Sequence, residues 1–429
     1  MSTPKIFTPS FIMLASCNFL GAMNFYLLTA IFTEFSLKTY GVGYSTAALS
    51  VSLYVIGALC ARVLLGGQID RWGIKASLLV GYAVIAVTSC AYVFPLPFEA
   101  LVAIRFVQGL GFGVSSGAGA SGAAVLVPAS RRSEGIGYFS MTQALATGIG
   151  PFVAILLINV TGDYAALFAT TAAMAVVMAV LALFVRLPKV APAAAPAEAA
   201  APAAPPAAVS EAAAPAEAAA PAAAAAPRGL ARFLHPKVVP FGLVMLLAYL
   251  CYAGLITYMT LYSADIGASD VASMYFVVYA AAILVSRPPM GRRADRLGEN
   301  SVIFYTLPSL AVGLVVLALA GFLRAPWLLL LSAALTGFGI GSTHSVLQAL
   351  VAKTVPQSEL GLGNSTYLMM LDIGSGVGPF VLGLVLPFVG YEAMYLGLAV
   401  VALLALALYV AVHARKSGAT ASVDGVGAR

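Results

Sequence analysis

Apolar runs of about 20 residues recur along nearly the whole of this 429-residue chain, and they leave few folds open to it. At 1.5 Å of rise per residue, a helix of that length matches the roughly 30 Å hydrocarbon core of a bilayer. One such run could be a buried core helix of a water-soluble protein; twelve in succession could not. Only 9% of the residues are charged, and mean hydropathy is strongly positive. The expectation is an all-α polytopic membrane protein with twelve transmembrane helices. Cys17, Cys60, Cys90 and Cys251 lie inside apolar runs without paired spacing, so neither a disulfide framework nor a metal site is expected, and no cofactor.

The runs fall near 11–32, 45–66, 75–95, 98–126, 135–158, 163–186, 238–262, 269–289, 300–322, 326–351, 361–386 and 391–413. The first has no A-x-A cleavage pattern and reads as a span, not as a removable signal peptide. Lys5, Arg71, Lys75, Arg131, Arg132, Arg186, Lys189, Arg228, Arg232, Lys237, Arg292, Arg293, Arg296, Lys353, Arg415, Lys416 and Arg429 all fall on one side, against Lys38 and Arg324 on the other. The bias of Lys and Arg toward the cytoplasm then places both termini inside, in a multi-pass inner-membrane protein. The formal net charge of +6 belongs to this rule and to the lipid bilayer, not to nucleic acid. Residues 188–235 form an Ala/Pro-rich linker, with Glu198, Glu211 and Glu217 scattered through it, too poor in apolar bulk to pack. It separates an N-terminal six-helix bundle (1–187) from a C-terminal one (236–416); 417–429 reads as a disordered tail.

The halves are related in sequence. Tyr54, Arg62, Gly66, Asp70, Arg71 and Gly73 recur at a constant offset as Tyr279, Arg287, Gly291, Asp295, Arg296 and Gly298. Further on, Gly109-Leu-Gly-Phe-Gly faces Gly337-Phe-Gly-Ile-Gly, and Val127-Pro128 faces Val355-Pro356. Gly148-Ile-Gly150-Pro151 faces Gly376-Val-Gly378-Pro379. Two homologous bundles in parallel order follow, with glycines that let helix backbones approach closely.

On these residues the chain resembles the major facilitator superfamily. Gly66-Gly-Gln-Ile-Asp70-Arg71-Trp-Gly73-Ile-Lys75 is similar to that family's loop between helices two and three, and Arg105-Phe-Val-Gln108-Gly109 to its fourth-helix motif. The fifth-helix pattern of proton-driven drug antiporters is matched only in part, by Gly137, Ala146, Gly150-Pro151, Ala154 and Ile155. The resemblance is greatest to the drug-exporter branch, including small-metabolite exporters. It implies two six-helix bundles related by an axis along the membrane normal, rocking about a central cavity. It also implies that Asp70 and Asp295, with Arg71, Arg296, Gly66, Gly73, Gly291 and Gly298, form a cytoplasmic gate. The glycine and proline pairs Gly150-Pro151 and Gly378-Pro379 would supply the moving faces. No nucleotide motif occurs, so transport would be secondary.

Ionisable groups inside spans are costly and mark function by default. Asp372 lies near the midplane, on a stripe with Ser365, Met369 and Ser375; Arg105 lies about 10 Å in from the outer surface. Asp372 is the expected proton carrier and Arg105 its partner, with Glu34 the next acid. The stripe could instead face the second helix across the domain interface and have a structural role. Arg62 and Arg287, one turn before their loop glycines, read as helix-end side chains. His344 reads either as a structural hydrogen bonder or as a coupling group. Cavity candidates are Asn18, Asn24 and Tyr26 on the first span, Gln108 on the fourth and Gln143 on the fifth. Tyr249, Tyr252 and Tyr258 follow on the seventh, His344 and Gln348 on the tenth, and Asn364 and Tyr367 on the eleventh.

The functional expectation is proton-coupled efflux of a small amphipathic drug or metabolite by a monomeric antiporter of the multidrug-resistance kind, with no enzymatic activity. The alternatives are an importer or exchanger of small organic anions, and a membrane sensor built on a transporter scaffold.

Overall fold

A computed structural model describes residues 6–65, 72–128, 131–187, 234–356 and 359–414. Eleven long helices run through them: α1 (Pro9–Tyr40), α2 (Tyr44–Leu65), α3 (Ile74–Ala91), α4 (Phe98–Leu126), α5 (Arg132–Thr161) and α6 (Tyr164–Phe184) in the first half. The second half has α7 (Val239–Asp265), α8 (Ser269–Leu297), α9 (Asn300–Phe322), α10 (Trp327–Thr354) and α11 (Leu360–Tyr409), which ends in a π-helical turn, Val410–Ala414. Each of the eleven is long and apolar enough to cross a membrane, and no strand occurs among the described residues.

The expected eleventh and twelfth spans are joined in α11. As a straight rod its 50 residues would run about 75 Å, far more than a bilayer. Gly390, at φ 77° and ψ 174°, breaks it. Leu382 and Leu398, on either side of the break, both lie against Gly254 of α7, and the Cys251 thiol meets the Leu398 carbonyl. Those two leucines would stand about 24 Å apart on a continuous helix. The chain therefore doubles back at Gly390, and the described chain makes twelve crossings.

Close packing of matched helices confirms the internal repeat. Gly109 of α4 lies against the Tyr54 carbonyl of α2, and Gly337 of α10 lies against the Tyr279 carbonyl of α8, at the matched positions. No room exists for a Cβ at either glycine, so the backbones meet directly. The gate-motif glycines Gly73 and Gly298 both take positive φ, 83° and 81°. Gly66, Asp70 and Arg71 lie outside the described residues, as do most of the expected linker and the tail. His235, given to the linker by composition, is docked instead: its backbone N–H donates to Thr366 Oγ1 at 2.8 Å and its ring meets Glu359.

The bundles meet through α2 against α11, α5 against α8, and α1 against α7. These seams are related by the repeat. Gly376 of α11 packs on Val55 of α2; Gly148 of α5 packs on Ala280 of α8, and Val55 and Ala280 are matched residues. Other contacts between bundles lie nearer the face that carries Gly41, Gly162 and Gly390. Thr260 Oγ1 donates to the Ala30 carbonyl at 3.3 Å, Gly383 abuts Ser45, and the Tyr44 and Tyr391 rings stand 6.5 Å apart.

Candidate functional site

Moving away from the Gly390 face, the last side-chain link between the bundles among the described residues is an ion pair. Arg62 of α2 reaches across to the Asp372 carboxylate of α11, and its second nitrogen lies 3.5 Å from Ser116 Oγ. Asp372 lies 12 residues, about 18 Å, beyond the start of α11, while Arg62 lies three residues before the end of α2 and reaches it from the side of the open face. Beyond this pair, toward Gly73 and Gly298, Asn364 and Ser365 on α11 and Gln143 on α5 are exposed. Gln143 nevertheless faces buried Tyr26, so it borders the interior of the molecule. A cleft between the bundles thus opens toward the face that the Lys/Arg bias assigns to the cytoplasm.

The cleft floor is aromatic and built from six helices. Tyr26 of α1 faces Gln143 of α5 and Tyr252 of α7. Tyr249 and Tyr252 have ring centroids 5.3 Å apart; Tyr252 stacks on Tyr279 of α8 at 6.2 Å. The His344 ring of α10 lies 6.0 Å from Tyr249 and stacks on Tyr367 of α11 at 5.8 Å, while the Tyr367 hydroxyl donates to the His344 carbonyl. Arg287 of α8 stands among these rings, within electrostatic range of Tyr26, Tyr249, Tyr279 and His344. Gln348 donates to Asn364 at 3.3 Å nearer the open face. The arrangement offers stacking surfaces, a few hydroxyls and one cation, which suits a small organic molecule.

Three sequence expectations are corrected. Arg105 does not partner Asp372; the guanidinium there is Arg62. Arg105 is fully buried inside the N-terminal bundle, donating to the Ser50 carbonyl at 2.7 Å and to Gln108 Oε1 at 2.9 Å, with Phe32 and Tyr54 rings 4.7 and 4.5 Å from its carbon. Depth along a helix is arithmetic, but the direction a side chain faces is set by rotation, and Arg105 turns toward α2 of its own bundle. Gln108 and Asn24 belong to the same closed network, with Ser89, Tyr92 and the Thr171 carbonyl, and do not line the cleft. Tyr258 is likewise fully buried, donating to the Pro379 carbonyl at 2.6 Å.

Other residues fall where helix geometry puts them. Asn18 ties α1 to Thr142 of α5 at 2.8 Å. Glu34 takes Lys38, one turn on, at 2.6 Å. Gly150 packs on Tyr26, and Gly378 on Ala253. Pro151 and Pro379 lie inside their helices. Asp295 and Arg296 are exposed at the end of α8, where Asp295 lies within electrostatic range of Lys353 on α10; Gly291 has open space around it. The residues that composition undervalued are Arg62, Arg287 and Tyr279, all inside the duplicated stretch.

Comparisons with known proteins agree with this architecture. The family model described as Major Facilitator Superfamily matches residues 14–330 and again 268–428. An uncharacterized MFS-type transporter of Pseudomonas aeruginosa is 30% identical over 180 residues, covering 42% of this chain and 44% of that protein. The multidrug resistance protein MdtG of Enterobacter lignolyticus is 30% identical over 169 residues, 38% of this chain and 39% of its own length. The chain thus aligns with less than half the length of these curated relatives. Among solved structures, a bacterial homolog of the human lysosomal transporter Spinster, in an inward-facing and unoccupied conformation, superposes with a TM-score of 0.72 at 13% identity, covering 96% of this chain and 98% of that one. A D-xylose-proton symporter gives 0.68 at 15% identity, over 94% and 97%. With the duplicated bundles, the glycine seams and the cleft between them, these matches establish that the chain belongs to the major facilitator superfamily.

Proposed function

We propose that this chain is a proton-coupled secondary transporter that exports a small amphipathic organic compound through the central cleft by alternating access. The carrying observation is the Arg62–Asp372 pair, an acid inside the span of one bundle met by a guanidinium from the end of α2 in the other, at the last side-chain link among the described residues before the cleft opens. A carboxylate at that depth must face a cation or take a proton. Rocking that separates the bundles at this point removes the cation, so the carboxylate takes a proton; rocking back expels it. Proton movement and cleft opening are then the same event. The loops at 66–73 and 291–298 would close the open face in the alternate state, with Asp70 and Asp295 as the charged elements. Export is supported by the similarity to a protein named for multidrug resistance.

The test is Asp372→Asn in proteoliposomes with an imposed pH gradient. The variant is expected to lose uphill accumulation while keeping downhill exchange. Undiminished uphill transport would remove Asp372 as the carrier and turn attention to Glu34.

A further inference from the structure

The duplication carries an asymmetry with a chemical consequence. Arg62 and Arg287 are matched residues, each on the α2 or α8 helix of a seam between bundles. Across its seam Arg62 finds Asp372, four residues before Gly376. In the matched register, the residue of α5 that corresponds to Asp372, four before Gly148, is Ala144. One arginine of the pair meets an acid across its seam; at the position matched to that acid the other half carries alanine.

Among the described residues, Arg287 is accordingly a cation with no counter-charge. Its Nε is buried and without a hydrogen-bond partner, and the charged or polar groups that act on it are tyrosines and His344, with no carboxylate among them. The Nε2 of His344, in the same cluster, is also buried without a partner among the described residues. This chain shows elsewhere how it holds a guanidinium without an acid: Arg105 is sealed, bonded through two nitrogens to a carbonyl and an amide oxygen with only its third left unpartnered, and sandwiched by two rings. Arg287 has none of these arrangements and stands in the cleft. An uncompensated guanidinium in a low-dielectric site favours an anion strongly and repels a cation.

We propose that Arg287 binds the anionic head of the transported compound, and that the substrate class is an organic monoanion: a carboxylate on a flat, apolar body that stacks among Tyr249, Tyr252, Tyr279 and His344. One unpaired positive charge balances one negative charge, and the planar fork of a guanidinium matches the two oxygens of a carboxylate. This inference rests on the reading of the cleft as the transport site.

The experiment uses the purified full chain and three probes sharing one ring system: naphthoate, naphthylmethylamine and naphthol. Binding is measured by probe fluorescence and by stabilisation against thermal unfolding. Naphthoate is expected to bind best. Arg287→Gln should weaken it roughly tenfold to a hundredfold, the effect of losing a charged hydrogen-bonding partner. Arg287→Lys should retain part of the affinity. Ala144→Asp, which restores the missing acid and leaves Arg287 in place, should weaken naphthoate as Arg287→Gln does and improve the amine, giving a second route if Arg287→Gln folds poorly. Failure of naphthoate to bind, equal naphthoate affinity in wild type and Arg287→Gln, or preference of the wild type for the amine would each overturn the assignment. Wild-type accumulation of amines but not carboxylates in liposomes would overturn it while leaving the transporter reading intact. Arg287-dependent carboxylate binding without any transport would do the reverse.

Discussion

Gly148 offers the most direct test of the seam between α5 and α8. A methyl group at this position would overlap the Ala280 Cβ outright, and would stand 2.9 Å from the Phe276 carbonyl oxygen and 3.3 Å from the Ala280 Cα. Ordinary carbon contacts lie at about 3.5–4.0 Å, so Gly148→Ala forces the two helices apart by about 1 Å or more. Two of the three obstructing atoms are backbone and cannot rotate away. Overpacking of this kind costs about 1–3 kcal/mol, and the strain exists only in the state where the helices touch. The ratio of this state to the alternate one should therefore fall roughly fivefold to a hundredfold. Spin labels at Val160 and Met274, both exposed, would report the separation of α5 and α8 by pulsed electron resonance. The matched site is milder: at Gly376 the added carbon would meet Val55 at 3.0 Å, so Gly376→Ala should shift the distribution less. Ala280→Gly removes the worst overlap and should restore most of the original distribution in the double variant. Identical distance distributions for Gly148→Ala and wild type, or no recovery with Ala280→Gly, would refute the argument that this seam is packed to its limit.

Arg62→Gln strands the Asp372 carboxylate and should cost about 1–3 kcal/mol after allowance for partial exposure; adding Asp372→Asn should recover part of the loss, as read by thermal unfolding in detergent. Gln108→Ala breaks the network of Asn24, Ser89, Tyr92 and Arg105 and should cost about 2–4 kcal/mol of stability while leaving substrate affinity unchanged in the surviving protein. At the turn before α9, burial pushes the Glu299 carboxyl up, but the Lys353 ammonium bonded to it at 2.6 Å, a backbone N–H and the nearby His413 together hold it below the usual carboxylate range. Its contribution is therefore present at neutral pH and is lost as pH falls through that lowered value. Hydrogen exchange at residues 298–303 should accelerate on acidification in the wild type and already be fast in Lys353→Met. Thiol labelling of cysteines placed at Asp163 and Arg324 should occur from outside the cell, and at Lys237 only after permeabilisation; the opposite pattern would invert the proposed orientation.

The spans, the duplication and the glycine seams were legible in the sequence because each depends on spacing alone. A run of apolar residues is long enough to cross or it is not, and matched glycines mark matched contacts whichever way the helix is turned. The site was less legible because it depends on rotation. Arg105 and Arg62 are both intramembrane arginines, and depth along the helix favoured Arg105 as the partner of Asp372. Only packing shows that Arg105 turns into its own bundle while Arg62 crosses to the other. The sign that could have identified Arg62 was the repeat itself: an arginine kept at both matched positions, with an aspartate in one half and an alanine at the matched position of the other.

Gly390 joins two membrane crossings with a single residue. A connection that short has no slack, so neither arm of α11 can slide along the membrane normal without carrying the other. It also holds both crossings against one partner: Leu382 and Leu398 meet Gly254 of α7 together. A side chain at Gly390 would meet a positive φ that L-residues resist. Its damage would fall on the packing of both crossings against α7.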